Sequence, residues 1–191
     1  LDRVGTTWDG QDRVDGWPSN YLGVDDSPLT RAMGAKFLIS MVARAWAELP
    51  DGVKVDTTLV LIGKQGARKS TALATLAGRD WFSDSPLDLR NPKDAMAQLR
   101  GVWLYEFAEL DSIRPREVTT VKAFLSAMVD KYRPAYGRNS SHHARSVVFC
   151  GTTNAESGAF LTDPTGSRRF WPVEIGTIDL EALERDRDQL W

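Results

Sequence analysis

The chain has 191 residues, a formal net charge of -2 at pH 7 and a single cysteine. With 42% of its residues hydrophobic, a chain of this length can bury the core of one compact domain. The near-neutral charge excludes a global basic field, so any contact with nucleic acid must come from a local patch. The lone Cys150 excludes an internal disulfide, and no apolar run reaches the length of a membrane span. These properties predict a soluble protein of a reducing cytosol, with no membrane partner.

Residues 1–29 precede the first periodic pattern in the chain. They are rich in Asp, Gly and Pro with scattered Trp, which predicts an extended segment lying on a domain formed by residues 30–191. The chain begins without Met and ends at Trp191, within a predicted amphipathic helix. We therefore expect a fragment of a larger protein.

The following residues alternate between strand-like and helix-like patterns. Helical spacing of apolar residues from Thr30 to Leu49 predicts an amphipathic helix. A β-rich run at 57–62 predicts a buried strand, and a helix over 70–77 follows a glycine-containing loop. We also predict strands at 87–89, 102–106, 146–151 and 170–175, and helices at 93–99 and 116–131. This alternation predicts an α/β fold with a mostly parallel sheet and helices on both faces.

The motif with the clearest chemistry lies between that strand and that helix. It reads Gly63-Lys64-Gln65-Gly66-Ala67-Arg68-Lys69-Ser70-Thr71. It matches the phosphate loop of nucleotide-binding proteins, in which backbone N–H groups and a helix N-terminus converge on phosphate oxygens. In that role, Lys69 neutralises the β and γ phosphates of ATP and Ser70 binds Mg²⁺. The alternative, a turn that contains Lys-Ser by chance, is disfavoured by the predicted strand before it and helix after it.

Arg68 stands where the phosphate loop normally has a glycine. If the backbone there has a positive φ, the substitution costs about 1 kcal/mol of strain. The side chain would then either crowd the nucleotide or add a cation beside it. ATP binding with weak hydrolysis is one outcome that the motif allows.

The strand predicted at 102–106 leads into acidic residues. An ATPase of this kind needs carboxylates at the end of a neighbouring strand to hold Mg²⁺ and to position the attacking water. We predict that Glu106 lies near the metal and that Glu109 polarises the water, with Asp111 as a weaker substitute for either. The alternative is that both glutamates are solvated residues at a strand end.

Two more polar positions complete the predicted catalytic site. Asn154 follows the next apolar strand, at the edge where ligands of open α/β sheets collect, and is predicted to hold the water against the γ-phosphate. Alone, it would read as a turn-forming asparagine. Arg168 and Arg169 precede the last strand, and one of them is a candidate arginine finger in its own or a neighbouring subunit's site. Each could equally be a surface arginine that pairs with Asp163 or Glu174.

A basic segment with aromatic residues lies between the carboxylates and Asn154. Its candidate nucleic-acid-binding residues are Lys131, Tyr132, Arg133, Tyr136 and Arg138. Basic and aromatic residues in a segment broken by Pro and Gly are typical of loops that track a phosphate backbone and stack bases. A solvated surface loop is the competing interpretation. His142 and His143 are too close to chelate a metal from one regular element.

The succession of motifs resembles the virulence-associated protein E family, P-loop proteins of phages and mobile elements that are related to superfamily 3 helicases and the AAA+ class. The resemblance covers residues 35–191 and is carried by the 63–71 loop, 103–110, 122–126, 130–133, 151–154 and 166–172. These segments in this order are far more specific than the loop alone. Arg68 is the departure from the usual pattern.

The resemblance implies a five-stranded AAA+-like core in which the Asn154 strand lies between the 57–62 strand and the Glu106 strand. It also implies ATP-driven action of an oligomeric ring on single-stranded DNA, during replication of a phage or mobile element in the cytoplasm of a bacterial host. A primase-type domain often lies upstream in such proteins.

Three functional hypotheses follow from the sequence. The first is an ATPase of replicative helicase type that uses ATP and Mg²⁺. The second is a non-catalytic, nucleotide-gated module, such as a replication initiator or interference factor, and Arg68 motivates it. The third is a small-molecule kinase, which is less attractive because the sequence shows no lid-like segment.

Overall fold

A computed structural model of the chain describes residues 1–108, 110, 115–134, 137–154 and 167–191. The helices are α1 (Asp2–Gly5), α2 (Trp17–Leu22), α3 (Pro28–Ala45), α4 (Lys69–Ala77), α5 (Pro92–Gln98), α6 (Pro115–Leu125) and α7 (Leu180–Asp186). The strands are β1 (Thr58–Ile62), β2 (Phe82–Ser83), β3 (Leu104–Phe107), β4 (Val129–Tyr132), β5 (Ser141–Ala144), β6 (Val148–Thr153) and β7 (Phe170–Glu174). Short 3-10 turns occupy Arg79–Trp81, Ser167–Arg169 and Arg187–Gln189.

Five strands form one sheet in the order β2-β3-β6-β1-β7. Every neighbouring pair in it is parallel. The predicted α/β fold with a five-stranded parallel sheet is therefore confirmed. So is the strand order, because β6, which leads to Asn154, lies between β1 and the Glu106 strand β3.

Helices cover both faces of this sheet because side chains alternate along each strand. Leu59 and Leu61 pack with helices α2, α3, α4 and α7 in one core cluster. Val60, between them, points to a second cluster that contains Ala95 of α5 and Phe124 of α6. The continuous apolar run of β1 is thus the expected pattern of a strand buried on both sides.

The amino-terminal segment differs from the predicted extended conformation. It contains helices α1 and α2, and Gly23 ends α2 in the left-handed conformation that glycine tolerates. Trp17, Tyr21 and Leu22 of α2 are buried in the first core cluster. Burial of these large side chains against α3 stabilises a helix that the local sequence does not indicate.

The strand predicted at 87–89 is wrong, and a two-residue strand, β2, lies earlier in the chain. Asp88 Oδ1 accepts a hydrogen bond of 3.1 Å from the backbone N–H of Arg90. This side-chain contact favours a turn over an extended strand. The sheet position is taken by Phe82 and Ser83, which pair with Leu104 and Tyr105.

The helix predicted at 116–131 ends earlier, at Leu125, and residues 129–132 form strand β4. The reason lies outside the segment. Arg44 Nη2 donates to the carbonyl of Ala127 over 3.2 Å, and Arg145 Nη1 donates to the carbonyl of Phe124. These two buried arginines satisfy carbonyls at the helix end, so the chain can leave the helix there.

No helix in the described ranges combines the length and the apolar character needed to span a bilayer.

Candidate functional site

The carboxyl ends of β1, β3 and β6 meet at one edge of the sheet. Ile62 pairs with Thr153, and Phe107 pairs with Gly151. Polar side chains that follow these three parallel strands therefore lie close together. A cluster forms there from Lys69, Ser70, Glu106, Thr152 and Asn154, which we call the edge cluster.

The loop between β1 and α4 has the backbone shape of an anion cradle. Gly66 has φ 79° and Arg68 has φ 65°, so two left-handed residues flank Ala67. Alternation of backbone handedness points successive N–H groups into one concavity, which binds anions. Gly63 allows a close approach, because a Cβ on it would lie 2.6 Å from Cγ1 of Ile175.

Arg68 is the one non-glycine residue with a positive φ in the described part of the chain. Its left-handed conformation costs about 1 kcal/mol relative to the right-handed form. It also stands at the N-cap of α4 without a side-chain capping bond. Strain of this kind persists only where the surrounding structure imposes it, and it is concentrated at functional sites.

Lys69 connects the loop to β6. Its ammonium donates hydrogen bonds of 2.7 Å to the carbonyl of Gly63, 3.0 Å to that of Lys64 and 2.8 Å to Oδ1 of Asn154. The residue is only 7% exposed. The side chain of Lys69 is therefore fixed across the loop by three hydrogen bonds. The other predicted loop residues, Gln65 and Thr71, lie at the surface and partly buried, respectively.

Glu106 connects the α4 N-terminus to β3 and β6. Ser70 Oγ donates to Glu106 Oε1 over 2.8 Å, and Thr152 Oγ1 donates to the same oxygen over 2.5 Å. Burial raises the pKa of the Glu106 carboxyl, and the hydrogen bonds from Thr152 and Ser70 oppose that rise. Glu106 is 1% exposed, and its Oε2 has no hydrogen-bond partner among the described residues.

That buried oxygen provides a test of whether the predicted Mg²⁺ fits. An unpaired carboxylate oxygen is costly to bury, and a hard cation prefers oxygen ligands. The Ser70 hydroxyl lies 2.8 Å from the same carboxylate, so both predicted ligands are adjacent. No group of three or more His, Cys, Asp or Glu within the described ranges could hold a metal alone.

Arg168 and Arg169 lie at the amino end of the parallel strands, opposite the carboxyl end that holds the edge cluster. Phe170, which follows them, pairs with Thr58 at the start of β1. The length of β1 therefore separates them from the 63–71 loop by roughly 16 Å, at about 3.3 Å per residue. Arg169 Nε lies 3.8 Å from Oδ2 of Asp56, so its ion pair among the described residues is not with Glu174, and Asp163 lies outside those residues. Neither arginine belongs to the edge cluster.

The basic segment forms a two-stranded antiparallel hairpin of β4 and β5, where the sequence had indicated only a loop. Lys131 and Arg133 are exposed near its tip, Arg138 lies in the connection, and the ring of Tyr132 lies 5.7 Å from that of His143. Three residues predicted for the site or for nucleic-acid binding, Glu109, Asp111 and Tyr136, lie outside the described residues. The hairpin therefore presents four of the five predicted nucleic-acid-binding residues.

Buried charges anchor the base of this hairpin. Arg145 Nε donates to both oxygens of Asp130, over 3.1 and 3.2 Å, and its guanidinium lies over the ring of Phe124 at 4.5 Å. Arg44 Nη1 donates to the carbonyl of Val147 over 3.1 Å. We call Arg44, Asp130 and Arg145 the hairpin-base cluster.

Sequence reasoning missed one residue of the edge cluster. Thr152 was part of a recognised segment but had no assigned role, and its hydroxyl bonds to Glu106. The sequence did contain a signal for Thr152. It lies two residues after Cys150, and alternate residues of β6 face the same side of the sheet.

The fold and the edge cluster define an α/β domain with a five-stranded parallel sheet and a buried polar site at its carboxyl edge. A family model for the virulence-associated protein E-like domain matches residues 1–191. The chain therefore belongs to the virulence-associated protein E-like family, which confirms the resemblance. A comparison with curated proteins gives no match.

Solved structures support the fold. The A form apo structure of the NrS-1 C terminal region has a TM-score of 0.58 and 12% sequence identity over 96% of this chain and 45% of that one. A second structure, of NrS-1 C terminal region residues 305-718, has a TM-score of 0.53, 12% identity, and coverage of 96% and 44%. The chain thus spans less than half the length of these structures.

Proposed function

We propose that this domain is an AAA+-like P-loop ATPase of replicative helicase type, which acts on single-stranded DNA. The observation that carries the proposal is the edge cluster. A lysine and a serine at a helix start are tied by hydrogen bonds to Asn154 and Glu106 at the ends of two other strands. A chance Lys-Ser turn would not need such partners.

ATP binding would use the loop and Lys69. Backbone N–H groups of residues 63–71 would donate hydrogen bonds to the phosphate oxygens, and the Lys69 ammonium would neutralise the β and γ phosphates. Asn154, whose Oδ1 accepts a hydrogen bond of 2.8 Å from Lys69, would sense the γ-phosphate. We propose that Glu109 orients the attacking water.

Ser70 and Glu106 would hold Mg²⁺. The bound cation would neutralise charge that develops on the β and γ oxygens. Glu106 keeps the Ser70 hydroxyl oriented through their hydrogen bond. Its unpaired Oε2 is available to the hydration shell of the cation.

The arginines would act between subunits. The separation of Arg168 and Arg169 from their own loop is larger than an arginine side chain can bridge, and Arg168 is exposed. In a ring, one of them would instead complete the site of a neighbouring subunit as an arginine finger. Self-association is therefore part of the proposal.

The hairpin would contact single-stranded DNA. Lys131, Arg133 and Arg138 offer cations to the backbone, and Tyr132 offers a ring on which a base can stack. Together with the family membership, this supports a role in replication of a phage or mobile element, in the cytoplasm of a bacterial host. A primase-type domain would belong to a longer parent protein.

An ATPase assay with and without single-stranded DNA tests this function. We expect DNA-stimulated phosphate release that disappears in Lys69→Ala. If the arginine acts between subunits, a mixture of the Arg169→Ala and Lys69→Ala variants should recover activity. In that mixture, some contacts combine an intact Lys69 from one subunit with an intact Arg169 from its neighbour. Activity in Lys69→Ala equal to that of the wild type would contradict the proposal.

A second candidate function has one specific observation in its favour, the strained Arg68. A bulky residue at the phosphate-facing turn would suit a nucleotide-gated module that binds ATP and recruits a partner without turnover. Tight ATP binding with no phosphate release, with or without DNA, would support this module over the ATPase.

A further inference from the structure

Asp84 lies level with Glu106 at the carboxyl edge of the sheet. Strands β2 and β3 are parallel and pair Phe82 with Leu104 and Ser83 with Tyr105, so the next position aligns Asp84 with Glu106. Phe82 and Leu104 both pack into the first core cluster. Residues two positions along each strand face the same side, which places Asp84 and Glu106 on the face covered by α4.

A cleft of about 240 Å³ connects Asp84 to the start of α4. Ser70, Thr71, Arg79 and Asp84 contribute its polar lining. Asp84 itself is exposed, so it can exchange ligands with solvent. The serine predicted to bind Mg²⁺ thus borders a cleft that is also lined by the carboxylate of Asp84.

Glu106 supplies the independent observation that points to a ligand. Its side chain is 1% exposed, yet Oε2 has no hydrogen-bond partner among the residues that the structure describes. A buried carboxylate oxygen in this state costs free energy unless a cation or a bound water reaches it. A ligand that satisfied this oxygen would bind Glu106 on the oxygen that Ser70 and Thr152 do not use.

We propose that Asp84 is the second carboxylate of the divalent cation site, acting with Glu106 and Ser70. This inference rests on the proposed function, which it deepens. Mg²⁺ keeps several waters when proteins bind it, and Asp84 would accept hydrogen bonds from those waters while Glu106 holds the inner side. Asp84 is a positioning residue in this scheme and has no contact with the reacting phosphate.

Direct cation binding tests the assignment without relying on turnover. Mn²⁺ replaces Mg²⁺ as the probe, and electron paramagnetic resonance counts the free ion with and without ATP. The variants are Asp84→Asn, Glu106→Gln and the control Asp80→Asn, which alters an exposed aspartate four residues earlier. Circular dichroism of each variant checks folding, and Asp84→Glu provides a second variant that keeps the charge.

We expect Asp84→Asn and Glu106→Gln to weaken Mn²⁺ binding about tenfold or more, as supporting ligands of metal sites do. Asp80→Asn should bind Mn²⁺ like the wild type, and Asp84→Glu should retain more binding than Asp84→Asn. Unchanged Mn²⁺ binding in Asp84→Asn would overturn the assignment, as would a wild type that binds no Mn²⁺ in either condition. If Asp84→Asn lowers Mn²⁺ affinity but the wild type binds no ATP, the cation site stands and the proposed ATPase fails.

Discussion

Two groups of buried charged side chains, the hairpin-base cluster and the edge cluster, differ in how completely their carboxylates are paired. In the hairpin-base cluster, both oxygens of Asp130 accept hydrogen bonds from Arg145. In the edge cluster, one oxygen of Glu106 accepts from two hydroxyl groups, and the other has no partner in the part of the chain that the structure describes. Arg44 also has an unpaired buried N–H, but a guanidinium offers no ligand to a cation.

The difference separates a structural charge pair from a site that can accept a ligand. A buried ion pair whose hydrogen bonds are all formed has no free atom with which to bind a ligand. Removal of one partner of such a pair lowers the stability of the fold. A buried carboxylate with a free oxygen is less stable alone and gains most from a bound cation. Burial lowers the pKa of Arg44 to about 10, with the neighbouring Arg145 adding to that effect, so the hairpin-base cluster depends on Asp130 for charge balance.

The largest expected effect is on the stability of the hairpin-base cluster. Arg145→Ala would leave Asp130 buried without its cation, which costs about 3–5 kcal/mol of unfolding free energy. Urea unfolding measures this change, and ATP affinity of the folded protein should be unaffected. The control Arg133→Ala, at an exposed position of the same hairpin, should stay within about 0.5 kcal/mol of the wild type. A loss below about 1 kcal/mol in Arg145→Ala would remove the distinction between the clusters.

An intermediate effect is expected on the pH dependence of the edge cluster. The pKa of Glu106 is raised above its ordinary value of 4.5 by burial, so the unfolded chain releases this proton first as pH rises. Directly above pH 4.5, the contribution of Glu106 to the unfolding free energy therefore falls as pH rises. The slope of this fall is at most about 1.4 kcal/mol per pH unit.

Glu106→Gln should remove that contribution, because the amide does not titrate. The measurement is the difference in unfolding free energy between wild type and variant across this range. Parallel pH profiles for the two proteins would show that burial does not destabilise the ionised carboxylate.

The smallest effect is expected at Arg68. Arg68→Gly relieves about 1 kcal/mol of left-handed strain, but glycine loses about 0.5–1 kcal/mol more chain entropy on folding. The net change in unfolding free energy should lie within about 0.5 kcal/mol. Arg68→Ala is the matched variant, since it keeps the strain and removes the guanidinium. Stabilisation by Arg68→Gly of more than about 1 kcal/mol would mean that the loop holds more strain than its φ angle indicates.

The parts of the site that are local in sequence could be predicted from it. The strand, loop and helix around Lys69 and Ser70 follow from apolar pattern and glycine spacing, and Glu106 and Asn154 follow from strand ends. Their meeting at one edge requires only that the strands be parallel. The hydrogen bonds among them confirm that they are adjacent.

The parts that depend on distant pairing could not be predicted. Asp84 was hidden because β2 has two residues and exists only through its pairing with β3. The position of Arg169 follows from the register of β7 on β1, which no local pattern encodes. The early end of α6 depends on Arg44 and Arg145, which come from other elements of the fold.

Equilibrium ATP binding by the wild type, Lys69→Ala and Lys64→Ala tests the central claim most directly. Lys64 is an exposed lysine of the same loop, so it controls for loss of charge alone. We expect the wild type to bind ATP and Lys69→Ala to bind it about 10- to 100-fold more weakly, since hydrogen bonds to charged groups contribute about 1.5–3 kcal/mol. Lys64→Ala should change affinity by about fivefold or less. Equal affinity of the wild type and Lys69→Ala would contradict the account.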